Sequence, residues 1–378
     1  MSQFVYEFLT DPAFKHPQVN NSGLSYLDYL RKVFSDIDKK FDDLHKKCMR
    51  AIPDSVLDRT LRSRLNINAI CDVIIEVISD YLSGTPYGDC YAIFEQCLNN
   101  NRQYIDSLWS VPQSGSSSLV GNLYRMRECS AEDPLYTPKG MFHVPFDIRN
   151  RASSMRFSKP NTPCLYFADN LFVCDAEIRE NETQVFQASR YEIVEPIRVL
   201  NFGYNNYNAR AFVQFDSTLP GNAISDMGIA WLNLYPIALA SAIVSPKTSD
   251  LPHEYILPQM LMDYIIKNDF DGVRYLSTKV ISEDSHIGFY TCWAFPTTSN
   301  ASTGHDPKLC SKVKVSDPVK LPVTLSGPMG KCAFEEHGGK IRNNKVVGLT
   351  EYKTDVQTKI FAEAESELFT KTTHTITP

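Results

Sequence analysis

Apolar side chains in this chain keep a helical period over about its first hundred residues and then lose it. In YLDYLRKVFSDIDKKFDDLHKK, residues 26–47, the residues Leu27, Leu30, Phe34, Ile37, Phe41 and Leu44 recur at steps of three and four, with charges on the other side. PDSVLDRTLRSRLNINAICDVIIEVISDYLSG (53–84) has capping residues after Pro53 and stops at Gly84, ordinary helix punctuation. YAIFEQCLNNNRQYIDSLW continues the pattern. Faces of this kind must bury one another, so residues 1–112 are expected to form an all-helical domain. No chemistry is legible in it: a nuclease-type helical domain wants an arginine followed closely by histidine, and His45 has only lysines and acids just upstream.

Small residues in PQSGSSSL mark a linker at 113–118. Beyond it the period changes. Short β-like runs (CLYFA, IRVLNFG, ARAFVQF) mix with apolar helical runs around 228–244 and 254–267. The fold class expected is α+β, with a second domain at 119–297 and a C-terminal extension at 298–378 that finishes on a helical DVQTKIFAEAESELFTK and a polar tail.

Charge and cysteine usage exclude several functions. A net charge of -6 and a pI near 5.8 give no basic field for nucleic acid or anionic membrane. Ten cysteines show no CxxC and no zinc-ligand spacing, which fits a reducing compartment and predicts no metal. The first residues carry acids early and no uninterrupted apolar core, unlike a secretory signal. GIAWLNLYPIALASAIV contains Asn233 and Pro236 and reads as a buried helix rather than a membrane span. A soluble, cytoplasmic protein is expected.

Three local features of the second domain carry ionisable or hydroxyl groups. LYRMRE supplies Arg125 and Arg127, and SSMRFSKP supplies Arg156. PCLYFADNLFVCDAE supplies Tyr166 and Glu177, and NDFDGVRYLSTK supplies Ser277 after a Gly-bounded strand. Singly, each has a plain structural reading: edge arginines pair at the surface, a strand tyrosine packs in the core, a serine ends a strand. Glu177 resists that reading. A helix starting at Asn170 puts it between Val173 and Cys174 on the wheel, a poor place for a solvated charge.

Together these segments resemble the RES family, named for its Arg, Glu and Ser. From Tyr124 to about Pro296 the resemblance rests on LYRMR, on MFHVPFDIRNRASSMRFSKPNTPCLYFADNLFVCDAE, and on YILPQMLMDYIIKNDFDGVRYLST. Two positions depart from the long forms of the family: Asn161 replaces a glycine, and Asp175 replaces a bulky aromatic before the glutamate. The resemblance implies an ADP-ribosyltransferase-like fold that binds NAD as substrate and breaks its nicotinamide–ribose bond. The acceptor would be inorganic phosphate as co-substrate, or water. The family arginine falls on Arg125, its tyrosine on Tyr166, its glutamate on Glu177 and its serine on Ser277. Arg156 matches a second arginine, and Arg127 is a weaker candidate, expected to face the other side of the strand.

A carboxylate such as Glu177 can stabilise oxocarbenium character on ribose, and the planar forks of Arg125 and Arg156 suit a pyrophosphate or phosphate. Tyr166 and Ser277 would address the nicotinamide-ribose end. No GxGxxG, HExxH, P-loop or GxSxG offers a competing site. His143, the histidine nearest the matched elements, reads as a structural or pocket-wall residue. The expectation is an NAD-degrading toxin or defence effector. The alternatives are a protein ADP-ribosyltransferase and a non-catalytic binding module. Short family members are held by an antitoxin, so a regulatory protein partner is expected. The flanking regions are expected to restrain, sense or form a homo-oligomer.

Overall fold

The computed structural model describes residues 7–14, 17–48, 54–110, 123–179, 184–204, 213–214, 223–224, 226–245, 252–281, 290–321, 350–351 and 357–378. The expected linker at 113–118 lies outside them. The chain divides into two compact units, and the division does not follow chain order: residues 1–109 join 200–264, and residues 110–199 join 265–378.

The first unit is built from helices. Tyr26–Cys48, Asp54–Leu82, Tyr87–Asn100 and Arg102–Ser107 fulfil the helical expectation, with Leu30, Phe34, Ile37, Phe41 and Leu44 all buried. They pack with Asp226–Ala240, which is buried on all sides from Gly228 onward. A helix apolar all round has no solvent face and needs cover in every direction, which is why residues 200–264 leave the expected 119–297 segment and join the first hundred. Its one buried amide is fully engaged. Asn233 Nδ2 donates to Ser63 Oγ at 3.0 Å and Ile229 O at 2.8 Å, while its Oδ1 accepts from Asn66 Nδ2 at 2.9 Å. Among the described residues no helix is long and apolar enough to cross a membrane.

The second unit is an antiparallel sheet with short helices on it. Its elements are β1 (Leu123–Cys129), β2 (Cys164–Ala168), α1 (Leu171–Ile178), β3 (Val185–Ile193), β4 (Gly272–Leu276), β5 (Thr291–Pro296), α2 (Pro307–Lys312), β6 (Val313–Ser316), β7 (Val319–Lys320), α3 (Gln357–Thr370) and β8 (Thr373–Thr375). The strand order is β4-β5-β2-β1-β3-β6-β8, with β7 also beside β3. Residues expected to form a separate extension therefore complete this sheet: Val313, Lys314 and Val315 pair with Ile193, Glu192 and Tyr191.

Strand alternation splits the apolar residues between two cores. Tyr124, Met126, Ala168, Ala188 and Cys292 face α1 and α3, where Phe172, Phe361 and Leu368 cover them. Leu123, Leu165, Phe167, Tyr191, Trp293 and Phe295 face the other way, onto Phe142, Leu309 and Ile376. Gly272 opens β4 because no larger residue fits there: a Cβ would run into Ala294 O and the Phe295 ring. The α+β class is thus observed, with a helical N-terminal region.

Candidate active site

A strand, a two-residue break and two turns of helix make the first half of the site. Asn170 caps α1, its Oδ1 accepting from Val173 N at 2.9 Å, so the helix starts where the sequence places it. Asp169 beside it turns away from solvent. It accepts from Trp293 Nε1 at 2.6 Å and from Arg274 Nη2 at 3.0 Å, and also from the Thr291 hydroxyl, which ties β2 to β5 and β4. With both ends of the break fixed, α1 carries Glu177 into its last turn.

There Glu177 Oε1 accepts from Ser277 Oγ at 2.6 Å. The Cys292 thiol lies 3.7 Å from the same oxygen. Ser277 is buried just past β4. Its N–H donates to Tyr290 O at 2.8 Å and its Oγ accepts from Lys279 N at 3.1 Å, leaving the hydroxyl proton directed at the carboxylate. A hydrogen bond to an ionised acceptor at this length is of the strong kind. The glutamate and serine, a hundred residues apart in the chain, meet here.

Tyr166 lies on the same side of the sheet. It pairs with Ala294, two residues from Cys292 on β5, so its side chain shares a face with Cys292 and Tyr275. Its hydroxyl donates to Ser158 Oγ at 3.0 Å, and burial pushes the phenol well above its ordinary range. Arg125 reaches it through a fork in the sheet. β1 and β2 pair at one position, Tyr124 with Ala168, and then part. The guanidinium occupies the opening, Nη1 donating to Tyr166 O at 3.4 Å. Its Nε is buried with no partner among the described residues. Burial lowers the Arg125 guanidinium from its ordinary value, with Arg127 adding to the effect. An unpaired buried donor costs about 1–3 kcal/mol, and an anion in the fork would remove that cost.

Arg156 belongs to the same neighbourhood. Its charge opposes the burial-driven rise of Tyr275, whose ring lies 4.5 Å from the Phe157 ring. Arg127 does not join. Residues two apart on a strand share a face, so the expected reversal does not occur, and the guanidinium is held by Gly140 O and lies 5.7 Å from the Tyr136 ring. His143 is structural, as read: Nδ1 donates to Val144 O at 2.7 Å and Nε2 accepts from Asp306 N at 2.9 Å, with burial lowering it to about 4.

Tyr275 was not foreseen. It sits two residues before Ser277 on β4 and pairs with Cys292. Its phenol is raised well above the usual range, first by burial and then by the charges of neighbouring Cys292, Glu177 and Tyr166. Its hydroxyl makes no hydrogen bond to a described residue. The signal was present in GVRYLS, because a strand residue two before a site serine points to the same side.

The two departures noted in the sequence have local explanations. Asn161 has φ 63°, a left-handed conformation that glycine favours and asparagine tolerates, and its N–H donates to Ala152 O at 2.9 Å. Asp175 pairs with Arg179 at 2.6 Å, one helical turn on, and the guanidinium carbon lies 4.7 Å from the Phe186 ring.

The chain is 24% identical over 317 residues to YopC of Bacillus subtilis (strain 168), a protein named as a candidate toxin; the match spans 80% of this chain and 67% of that one. A crystal structure of the M. tuberculosis MbcT–MbcA toxin–antitoxin complex matches at 12% identity and a TM-score of 0.31, covering 60% of this chain and 94% of its own. The family model of the RES domain matches residues 123–307, a span that holds Arg125, Arg156, Tyr166, Glu177, Tyr275 and Ser277. Over residues 123–307, the span of the second domain's site elements, this chain matches the RES domain.

Proposed function

We propose that this protein is a RES-type toxin or defence effector that cleaves the nicotinamide–ribose bond of NAD, passing the ADP-ribosyl group to phosphate or water. The observation that carries the reading is the Glu177 carboxylate held 2.6 Å from the Ser277 hydroxyl, on the sheet face that also bears Tyr166 and Tyr275. In the reaction the bond between ribose C1′ and the nicotinamide nitrogen breaks, and nicotinamide leaves with the bonding pair as a neutral ring. The acceptor oxygen forms the new bond to C1′ and releases its proton to solvent. Positive charge gathers on the ribose between these events, and a fixed carboxylate in a partly buried site is worth most at that moment.

Each other residue takes a role its surroundings favour. Ser277 holds Glu177 in one rotamer until a ribose or carboxamide group takes over its hydrogen bond. Arg125, whose Nε is buried without a partner among the described residues, suits the pyrophosphate or an incoming phosphate, and Arg156, near Tyr275, offers a second cation. Tyr166 shapes the nicotinamide-ribose end. Similarity to YopC, named as a candidate toxin, supports the toxin reading. An enzyme that drains NAD in the cytoplasm needs restraint, and a protein antitoxin is the partner the family resemblance implies.

The test is product analysis by mass after incubating purified protein with NAD, with and without inorganic phosphate. Phosphate-dependent loss of NAD indicates a phosphorylase, and phosphate-independent release of ADP-ribose a hydrolase. Label passing from NAD to a protein would replace this reading with protein ADP-ribosylation. Intact NAD under all conditions would contradict it.

A further inference from the structure

The C-terminal helix α3 lies against α1, the helix that carries Glu177, and touches it at a charged group as well as through apolar packing. Phe361, Ala364 and Leu368 are buried against the α1 side of the sheet, and the Phe361 ring stands 6.3 Å from Phe172 at 71°. Between them Glu365 Oε1 accepts from Leu171 N, the first N–H of α1, at 2.8 Å. Such an N–H has no partner inside its own helix, and a carboxylate there also complements the helix dipole. Asn170 satisfies a second of these free groups, Val173 N. The start of α1 is therefore fixed by one residue of its own turn and one residue from 194 positions further along the chain.

Glu177 lies six residues beyond Leu171, roughly 9 Å along the axis at the usual helical rise. A short helix moves as a rigid body, so its tether at one end sets the position of the carboxylate at the other. We infer that Glu365 is a positioning residue for Glu177: the C-terminal helix, through this hydrogen bond, sets where the carboxylate meets Ser277. This rests on the proposed role of Glu177. The group is not part of the site itself, and its carboxyl is pushed up by burial while the Leu171 N–H pulls it back.

Two variants of the full chain separate positioning from bulk stability. Glu365→Gln keeps an acceptor for Leu171 N, and Glu365→Ala removes it. Amide hydrogen exchange over Leu171–Ile178, thermal unfolding, and NAD turnover are measured on both. Expected for Glu365→Ala are faster exchange confined to α1 and about tenfold lower turnover at unchanged KM, because ångström-scale misplacement of a reacting group is costly. Glu365→Gln should keep both within about twofold of the parent, as a retained hydrogen bond allows. Unchanged exchange in Glu365→Ala would overturn the inference, as would equal losses in the two variants or exchange rising across the whole unit. Failure of the parent protein to consume NAD would count against the proposed reaction, while the exchange result would still decide whether the tether exists.

Discussion

Glu177 and Ser277 hold each other directly, and that pairing predicts how their variants differ. Glu177→Gln keeps size and hydrogen bonding but removes the charge, so NAD turnover should fall by about two to three orders of magnitude with folding intact. Ser277→Ala leaves the charge and loosens its rotamer, for a smaller loss that steady-state kinetics would register mainly in kcat. Tyr275→Phe keeps the ring against Phe157 and removes only the hydroxyl; KM for NAD should rise several-fold with unfolding temperature unchanged, and no change in KM would remove Tyr275 from the site. His143 supplies a pH dependence of stability. Its folded value of about 4 lies below the ordinary 6.5, so the unfolded chain binds more protons between those limits. Stability should be full above 6.5 and fall as pH drops toward about 4, by a few kcal/mol at most. Unfolding temperature against pH should show that slope in the parent and a flatter one in His143→Gln. At this scale residue type and order singled out Arg125, Tyr166, Glu177 and Ser277 as candidates, and the fold brings Glu177 and Ser277 together. Tyr275 was passed over because it looks like any strand aromatic, whereas Glu365 was illegible, acting across 194 residues that no local pattern connects.

Among the elements, the strand-turn-helix of Cys164–Ile178 was readable in full, because a five-residue apolar run, a capping asparagine and a Glu in the second turn leave few other conformations. Asn170→Ala should cost about 1 kcal/mol of stability by chemical denaturation, as loss of an N-cap does. Asn161→Gly should be neutral to within a few tenths, and Asn161→Val should destabilise by about 1–2 kcal/mol, because a β-branched side chain resists positive φ. The face of Arg127 was misread by one step of the strand period. Its removal from the site comes from Gly140 and Tyr136, which belong to a turn between β1 and β2 that carries no pattern of its own. The parting of β1 from β2 after a single pair, which makes room for Arg125, is likewise a property of pairing geometry and not of either strand's sequence.

For the whole chain, helix content and the α+β class were legible, while the grouping of segments was not. The run at 226–240 declares itself buried by being apolar all round, but such a helix has no polar face to say which surface will cover it. The strands at 313–320 and 373–375 are too short to show an alternation that assigns a partner, yet they pair along β3 and its neighbour. A protein cut to 119–297 would lose α2, β6, β7, β8 and α3 and expose the buried faces of Phe172, Phe186 and Ala188. It should be insoluble or unfolded by circular dichroism, and a stable fold from that segment would show that the C-terminal strands are dispensable. The central claim is that Glu177 acts in cleavage of the nicotinamide–ribose bond. The most direct test is a single-turnover measurement of nicotinamide release from NAD by the full chain and by Glu177→Gln, at matched folded fractions. Release by the parent with a loss of two orders of magnitude or more in the variant is the predicted result. Equal rates in the two proteins would contradict the account.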